Sequence, residues 1–240
     1  MPEAISGARC DLSPQARRLG LWSAAAAAAA LMAAYAAVLA VGLLTLPSPD
    51  VPIGDPLFSV LEVLIIALMP PLVALMAAVH AWTPARLKAF SLTALVFMGL
   101  VAGVTCGLHF VILTLRRPEA AAGWPGLGRL LEFRWPSLAY ALDILAWDIF
   151  FPLAVLFAAA VFRGRGLASW IRRLMVLSGV LAFAGLAGVA AGDMGLRNVG
   201  IVGYVGVFFA VTVLLAVLFR RAAAPPDATG GIDSAARSSP

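Results

Sequence analysis

Four ionisable side chains interrupt otherwise apolar stretches of this chain: Glu62, His109, Asp143 and Asp148. A carboxylate at membrane depth costs at least ~2.5–3.5 kcal/mol on insertion scales, so it faces a bundle interior or water and finds a partner. At ~1.5 Å per helical residue, Glu62, His109 and Asp143 fall at similar depth in the outer half, with Asp148 near the midplane. Thr105 lies four residues before His109 and shares its helix face. Tyr140, Asp143 and Trp147 share another. Asp148 is about 140° round a regular helix from Asp143 at ~100° per residue, so the two aspartates are not expected to form a dyad on one face. Two readings follow. Glu62, Thr105, His109, Tyr140, Asp143 and Asp148 either line an outward-opening polar pocket among the second, third and fourth spans, or make separate structural hydrogen bonds between helices.

Prolines add to the choice. Pro70 and Pro71 cannot donate to the carbonyls of Ile66 and Ala67, and Pro152 likewise frees the carbonyl of Asp148. Freed carbonyls beside a carboxylate suit a cation or a proton relay. The alternative is ordinary helix kinks. Other chemistry is disfavoured. His80 and His109 differ in height by roughly 20–25 Å, so one haem cannot take both. There is no Cys/His cluster for zinc, no Gly-x-Ser-x-Gly elbow and no phosphate loop. Cys10 and Cys106 cannot pair from a tail and a span. No catalytic residue, cofactor or metal site is assigned, and an enzyme ranks behind a binding protein or a carrier.

The elements that must position these groups are six apolar stretches at 21–46, 57–82, 88–115, 137–162, 170–191 and 196–219. Hydrophobic residues make up 62% of the chain and charged residues 12%, a balance foreign to soluble domains. Each stretch has the ~20 residues that a hydrocarbon core requires, and satisfying the backbone in lipid demands helices. The expected fold is an all-α, six-transmembrane-helix bundle at 21–219, with a polar tail at 1–20 and a disordered tail at 222–240. The first stretch is too long for a cleaved signal and reads as a retained anchor. Lys and Arg divide twelve against five between the two sides, which places both termini in the cytoplasm. The formal net charge of +5 is then an attraction to anionic lipid headgroups rather than a nucleic-acid footprint. The expected location is the inner (plasma) membrane. Abundant Ala, with Lys88 the only Lys against many Arg, suits a GC-rich bacterial genome.

Glycines recur at helical spacing as Gly99, Gly103 and Gly107, as Gly188 and Gly192, and as Gly200, Gly203 and Gly206. Small-residue stripes admit close helix approach, either within one bundle, which is the simpler expectation, or in a homo-oligomer. The loop at 116–136 predicts a short helix in the outer interface, with Leu127, Leu130, Leu131 and Phe133 among charges and Trp124 and Trp135 at headgroup level. Asp193 and Arg197, four apart, predict a local ion pair, with lipid phosphate as the alternative partner of the arginine. The halves of the chain show no matching motifs.

Two segments, AVHAWTPARLKAFSLTALVFMGLVAGVTCGLHFVILTLRR (78–117) and PSLAYALDILAWDIFFPLAVLFAAAVF (136–162), resemble a group of uncharacterised bacterial six-span integral membrane proteins. The resemblance implies the same helical topology and carries no activity, cofactor or site. Expected partners are membrane lipids and a small ligand or a proton. A small-molecule or proton-coupled transporter using the carboxylates is the alternative function.

Overall fold

The structure is a computed structural model that describes residues 13–47, 51, 53–115 and 123–222. The expectations for Cys10, for the Arg116–Arg117 pair and for the tail beyond residue 222 lie outside the described residues. Among the described residues six helices are long and apolar enough to cross a membrane: α1 Pro14–Leu44, α2 Leu57–Trp82, α3 Ala85–Leu115, α4 Leu138–Ala159, α5 Leu167–Ala191 and α6 Met194–Arg221. No strand occurs among the described residues. The chain is a six-helix, all-α membrane bundle, and its even number of spans brings the start of α1 and the end of α6 to the same end.

That end, termed lower here, is closed by basic side chains that serve backbone carbonyls. Arg17 Nε and Nη2 donate to the carbonyls of Phe219 and Arg220, at 3.0 and 2.9 Å. Lys88 Nζ donates to the carbonyl of His80 at the end of α2. Cations at helix C-termini both satisfy orphan acceptors and oppose the helix dipole. The polar tail expected at 1–20 is therefore helical from Pro14, where Ser13 caps the first turn by accepting from Ala16 N. Helix caps of this kind contribute ~1 kcal/mol.

Above this clasp runs a core of large side chains. It includes Leu72, Met76, Met98, Phe151, Phe162, Phe208 and Phe219, with Trp82 stacked on Phe162 at 5.3 Å between ring centres. A second, smaller apolar cluster lies at the upper end, where Leu127 and Leu131 pack on Leu108, Ile112 and Ala139. The interfacial helix expected in the third loop is reduced to one turn, Leu127–Leu130. Its apolar residues turn into the bundle and cap it. Only Leu130 and Trp124 stay largely exposed.

The glycine stripes divide. At Gly188 a Cβ would come 2.4 Å from Arg197 N, and at Gly203 2.7 Å from the Ser178 carbonyl. These positions let α5 and α6 touch backbone to backbone. Gly192 forms the turn between them at φ 70°, a conformation that favours glycine. Gly99, Gly103 and Gly107 correct the expectation of packing within the bundle, because nothing lies within 4 Å of a Cβ built on any of them. The buried face of α3 is carried instead by Ser91, Ala94, Met98, Val101, Thr105, Leu108, His109 and Ile112. The glycines fall between those positions and face outward.

Candidate functional site

The polar residues gather in the upper half around two linked centres. In the first, Glu62 of α2 and His109 of α3 form a pair with Oε2 and Nδ1 2.8 Å apart, both residues buried. A carboxylate only accepts, so Nδ1 carries the donated proton. Nε2 is buried without a hydrogen-bond partner. The Phe133 ring tilts against His109 at 5.8 Å.

The second centre is Arg197, 2% exposed. Its Nη2 donates to Asp143 Oδ2 at 2.9 Å and to Asp148 Oδ2 at 2.8 Å, and its Nε donates to Asp148 Oδ2 at 3.1 Å. The guanidinium lies 4.7 Å over the Tyr140 ring. This corrects two expectations. Arg197 does not pair with Asp193, which caps α6 by accepting from Gly195 N and Leu196 N at 2.8 and 3.2 Å. And the two aspartates do act together.

The reason for the second correction is local. Residues Leu145–Phe150 are π-helical, with Phe151 N–H bonded to the Ala146 carbonyl. A π turn absorbs an extra residue, which subtracts about one residue's ~100° and reduces the ~140° offset of Asp148 to roughly 40°. Pro152, which cannot donate, follows within the next turn and weakens any return to regular α bonding there.

Glycines admit the second aspartate. A Cβ on Gly185 or Gly200 would lie 2.7 or 2.6 Å from Asp148 Oδ1. That oxygen is buried with no hydrogen-bond partner. Depth arithmetic agrees with this seat. Asp148 is ~15 Å along α4 from Leu138, whereas Gly185 and Gly200 are only ~9–10 Å from the tip of their hairpin at 1.5 Å per residue. The α5–α6 tip therefore sits ~5 Å lower than the start of α4. The step leaves room for the 123–136 segment, which brings Phe133 over the site.

A cavity of about 350 Å³ adjoins both centres. Glu62, His109, Tyr140, Asp143, Trp147 and Arg197 form its polar wall, and Met32, Leu39, Leu43, Ile65, Leu72 and Phe208 are among its apolar walls. The walls come from α1, α2, α4 and α6, with His109 the contribution of α3. This corrects the expected pocket among the second, third and fourth spans. Thr105 and Asp148 do not line it. Both are buried behind it, and Thr105 Oγ1, like Trp147 Nε1, lacks a partner. Near the termini α1 is clasped to α6, where a Cβ on Gly20 would meet the Phe219 ring at 2.8 Å. Higher up the cavity lies between the two helices, lined by residues of both, and Leu43, which lines it, is 56% exposed.

Sequence reasoning missed Arg197, Phe133, Tyr35 and Tyr204 as wall residues. One signal existed for Arg197, since two buried aspartates on one span require a cation. The proline-freed carbonyl of Ile66 is not left for a cation, because the Cys106 thiol points to it at 3.9 Å, a long and weak bond. Among the described residues no group of three or more His, Cys, Asp or Glu side chains is placed to hold a metal ion. Comparison with family models, with curated proteins and with solved structures finds no match to this chain.

Proposed function

We propose that this is a non-enzymatic multi-pass protein of the inner membrane, with both termini cytoplasmic, whose cavity binds a small, largely apolar molecule by its polar end. One observation carries the reading: an apolar cavity ends on Glu62, His109, Asp143 and Arg197. Ion pairs that only joined helices would need no cavity beside them. The gap between α1 and α6 lets such a molecule arrive from the bilayer. The orientation rests on the Lys/Arg bias.

Trp147 lines the cavity and reports on it. In nanodiscs, 8-bromo-1-octanol should quench the fluorescence lost in Trp147→Phe with a saturable dose dependence. Ile65→Trp, which puts a larger ring into the cavity, should shift the saturation to higher probe concentration. Linear, unsaturable quenching identical in both proteins would refute the reading.

A proton-coupled carrier is the second reading. What favours it is the position of Pro70 and Pro71 beside Leu68 and Leu72, which line the cavity toward its lower side. A carrier must open the lower core at Met76, Leu215 and Phe219, all of them buried. Proton flux in proteoliposomes, lost on Glu62→Gln or Asp143→Asn, tests it.

A further inference from the structure

Charge and aromatic content narrow the ligand class, on the basis of the cavity-binding reading above. The two centres hold three carboxylates, Glu62, Asp143 and Asp148, against one permanent cation, Arg197, and the titratable His109. With His109 neutral the excess is two negative charges; with it protonated the excess is one. With the three carboxylates ionised, that excess is strongly unfavourable when buried, and an added positive charge relieves it.

The cavity presents groups that match one. Glu62 and Asp143 both line it, and each uses one carboxylate oxygen on its partner within the cluster. His109 lies on the same wall. Around them stand the rings of Tyr35, Phe133, Trp147 and Tyr204. Aromatic faces attract cations, most strongly where water is excluded. Tyr140 already does so, with the Arg197 guanidinium over its ring. Leu39, Leu43 and Ile65 add aliphatic wall.

We infer that the cavity takes a lipophilic ammonium, an alkyl chain ending in a protonated amine. The chain lies along Leu39, Leu43 and Ile65. The ammonium donates to Glu62 and Asp143. An alkyl carboxylate would add to the negative excess, and an alcohol would leave it uncompensated.

The test uses three eight-carbon probes that differ only in the head: octylammonium, 1-octanol and octanoate. Each competes with 8-bromo-1-octanol for quenching of Trp147 at pH 7, compared at equal membrane concentration. Octylammonium should compete at least about tenfold more strongly than 1-octanol, and octanoate least, a margin within reach of one desolvated cation–aromatic contact. Asp143→Asn should bring octylammonium to within about threefold of 1-octanol, both measured on that variant. Tyr35→Leu, which removes a ring not hydrogen-bonded to either ion pair, should lower octylammonium selectively and serves if Asp143→Asn does not fold. Equal competition by the three heads, or octanoate ahead, overturns the ammonium inference and leaves the cavity reading standing. Failure of the brominated probe to bind saturably sinks the cavity reading itself.

Discussion

Replacing Arg197 with Met is the sharpest perturbation of the cluster. Methionine keeps an unbranched chain over the Tyr140 ring and removes only the charge and the donors. Three hydrogen bonds to carboxylates are lost, at 2.9, 2.8 and 3.1 Å. More important, Asp143 and Asp148 remain buried without a counter-charge, and Asp148 Oδ1 already has no partner. Cross-helix polar contacts in membranes average only ~0.6 kcal/mol, but breaking one side of a buried ion pair costs ~3–5 kcal/mol. The second figure applies because Asp148, 0% exposed, cannot reach water. Arg197→Met should therefore lose at least ~3 kcal/mol in equilibrium unfolding by SDS titration in mixed micelles. Adding Asp148→Asn should restore ~1 kcal/mol or more, because it deletes an orphan charge. A single variant within ~1 kcal/mol of wild type, in the range of a surface pair, would refute the reasoning. So would a double variant whose loss equals the sum of its parts.

Three further outcomes follow from neighbouring geometry. Gly200→Ala places a Cβ 2.6 Å from Asp148 Oδ1 and should cost ~1–3 kcal/mol, as overpacking does, whereas Gly103→Ala on the outward stripe should stay within ~0.5 kcal/mol in the same titration. Glu62→Ala strips His109 of its one side-chain partner and should cost ~1–3 kcal/mol, while Glu62→Gln, which still accepts from Nδ1, should recover most of it by thermal denaturation in detergent. Reporter fusions after Arg221 and after Gly126 should report opposite sides of the membrane, with the first in the cytoplasm; a C-terminal reporter on the far side would overturn the orientation.

The span pattern was legible because hydropathy over about twenty residues is an averaged quantity that tolerates local error. Helix ends followed where a cap announced them, as at Ser137, whose hydroxyl accepts from Tyr140 N at 3.0 Å. Depth was legible as well, since a fixed rise per residue put Glu62 and His109 at one level, and they pair. Azimuth was not. It assumes a uniform twist, and the π segment Leu145–Phe150 removes that assumption at the one turn separating Asp143 from Asp148. The outward glycines of α3 failed for a related reason. A stripe marks a face that permits close approach, but which face turns inward depends on all its competitors, and the run from Met98 through Thr105 to Ile112 wins with larger apolar groups.

Arg197 was hidden by its place in the chain. It stands three residues after Met194 at the tip of a hairpin, where sequence reading assigns an arginine to the interface. The same place makes the buried cluster reachable during assembly. A long side chain near a helix end can extend its charge to the headgroups and escape most of the insertion cost. The α5–α6 hairpin can thus enter the bilayer with Arg197 turned outward, and swing it inward once α4 offers Asp143 and Asp148. Gly185, Gly188 and Gly200 are what allow that docking, because a Cβ at any of them would meet Asp148 or the Arg197 backbone at 2.4–2.7 Å. Had the cation stood at mid-span instead, the hairpin would have carried an unpaired buried charge before its partners were in place. The glycines of this hairpin and its arginine are one device: small residues bring the backbones together, and the closeness turns an interfacial charge into a buried one beside the cavity.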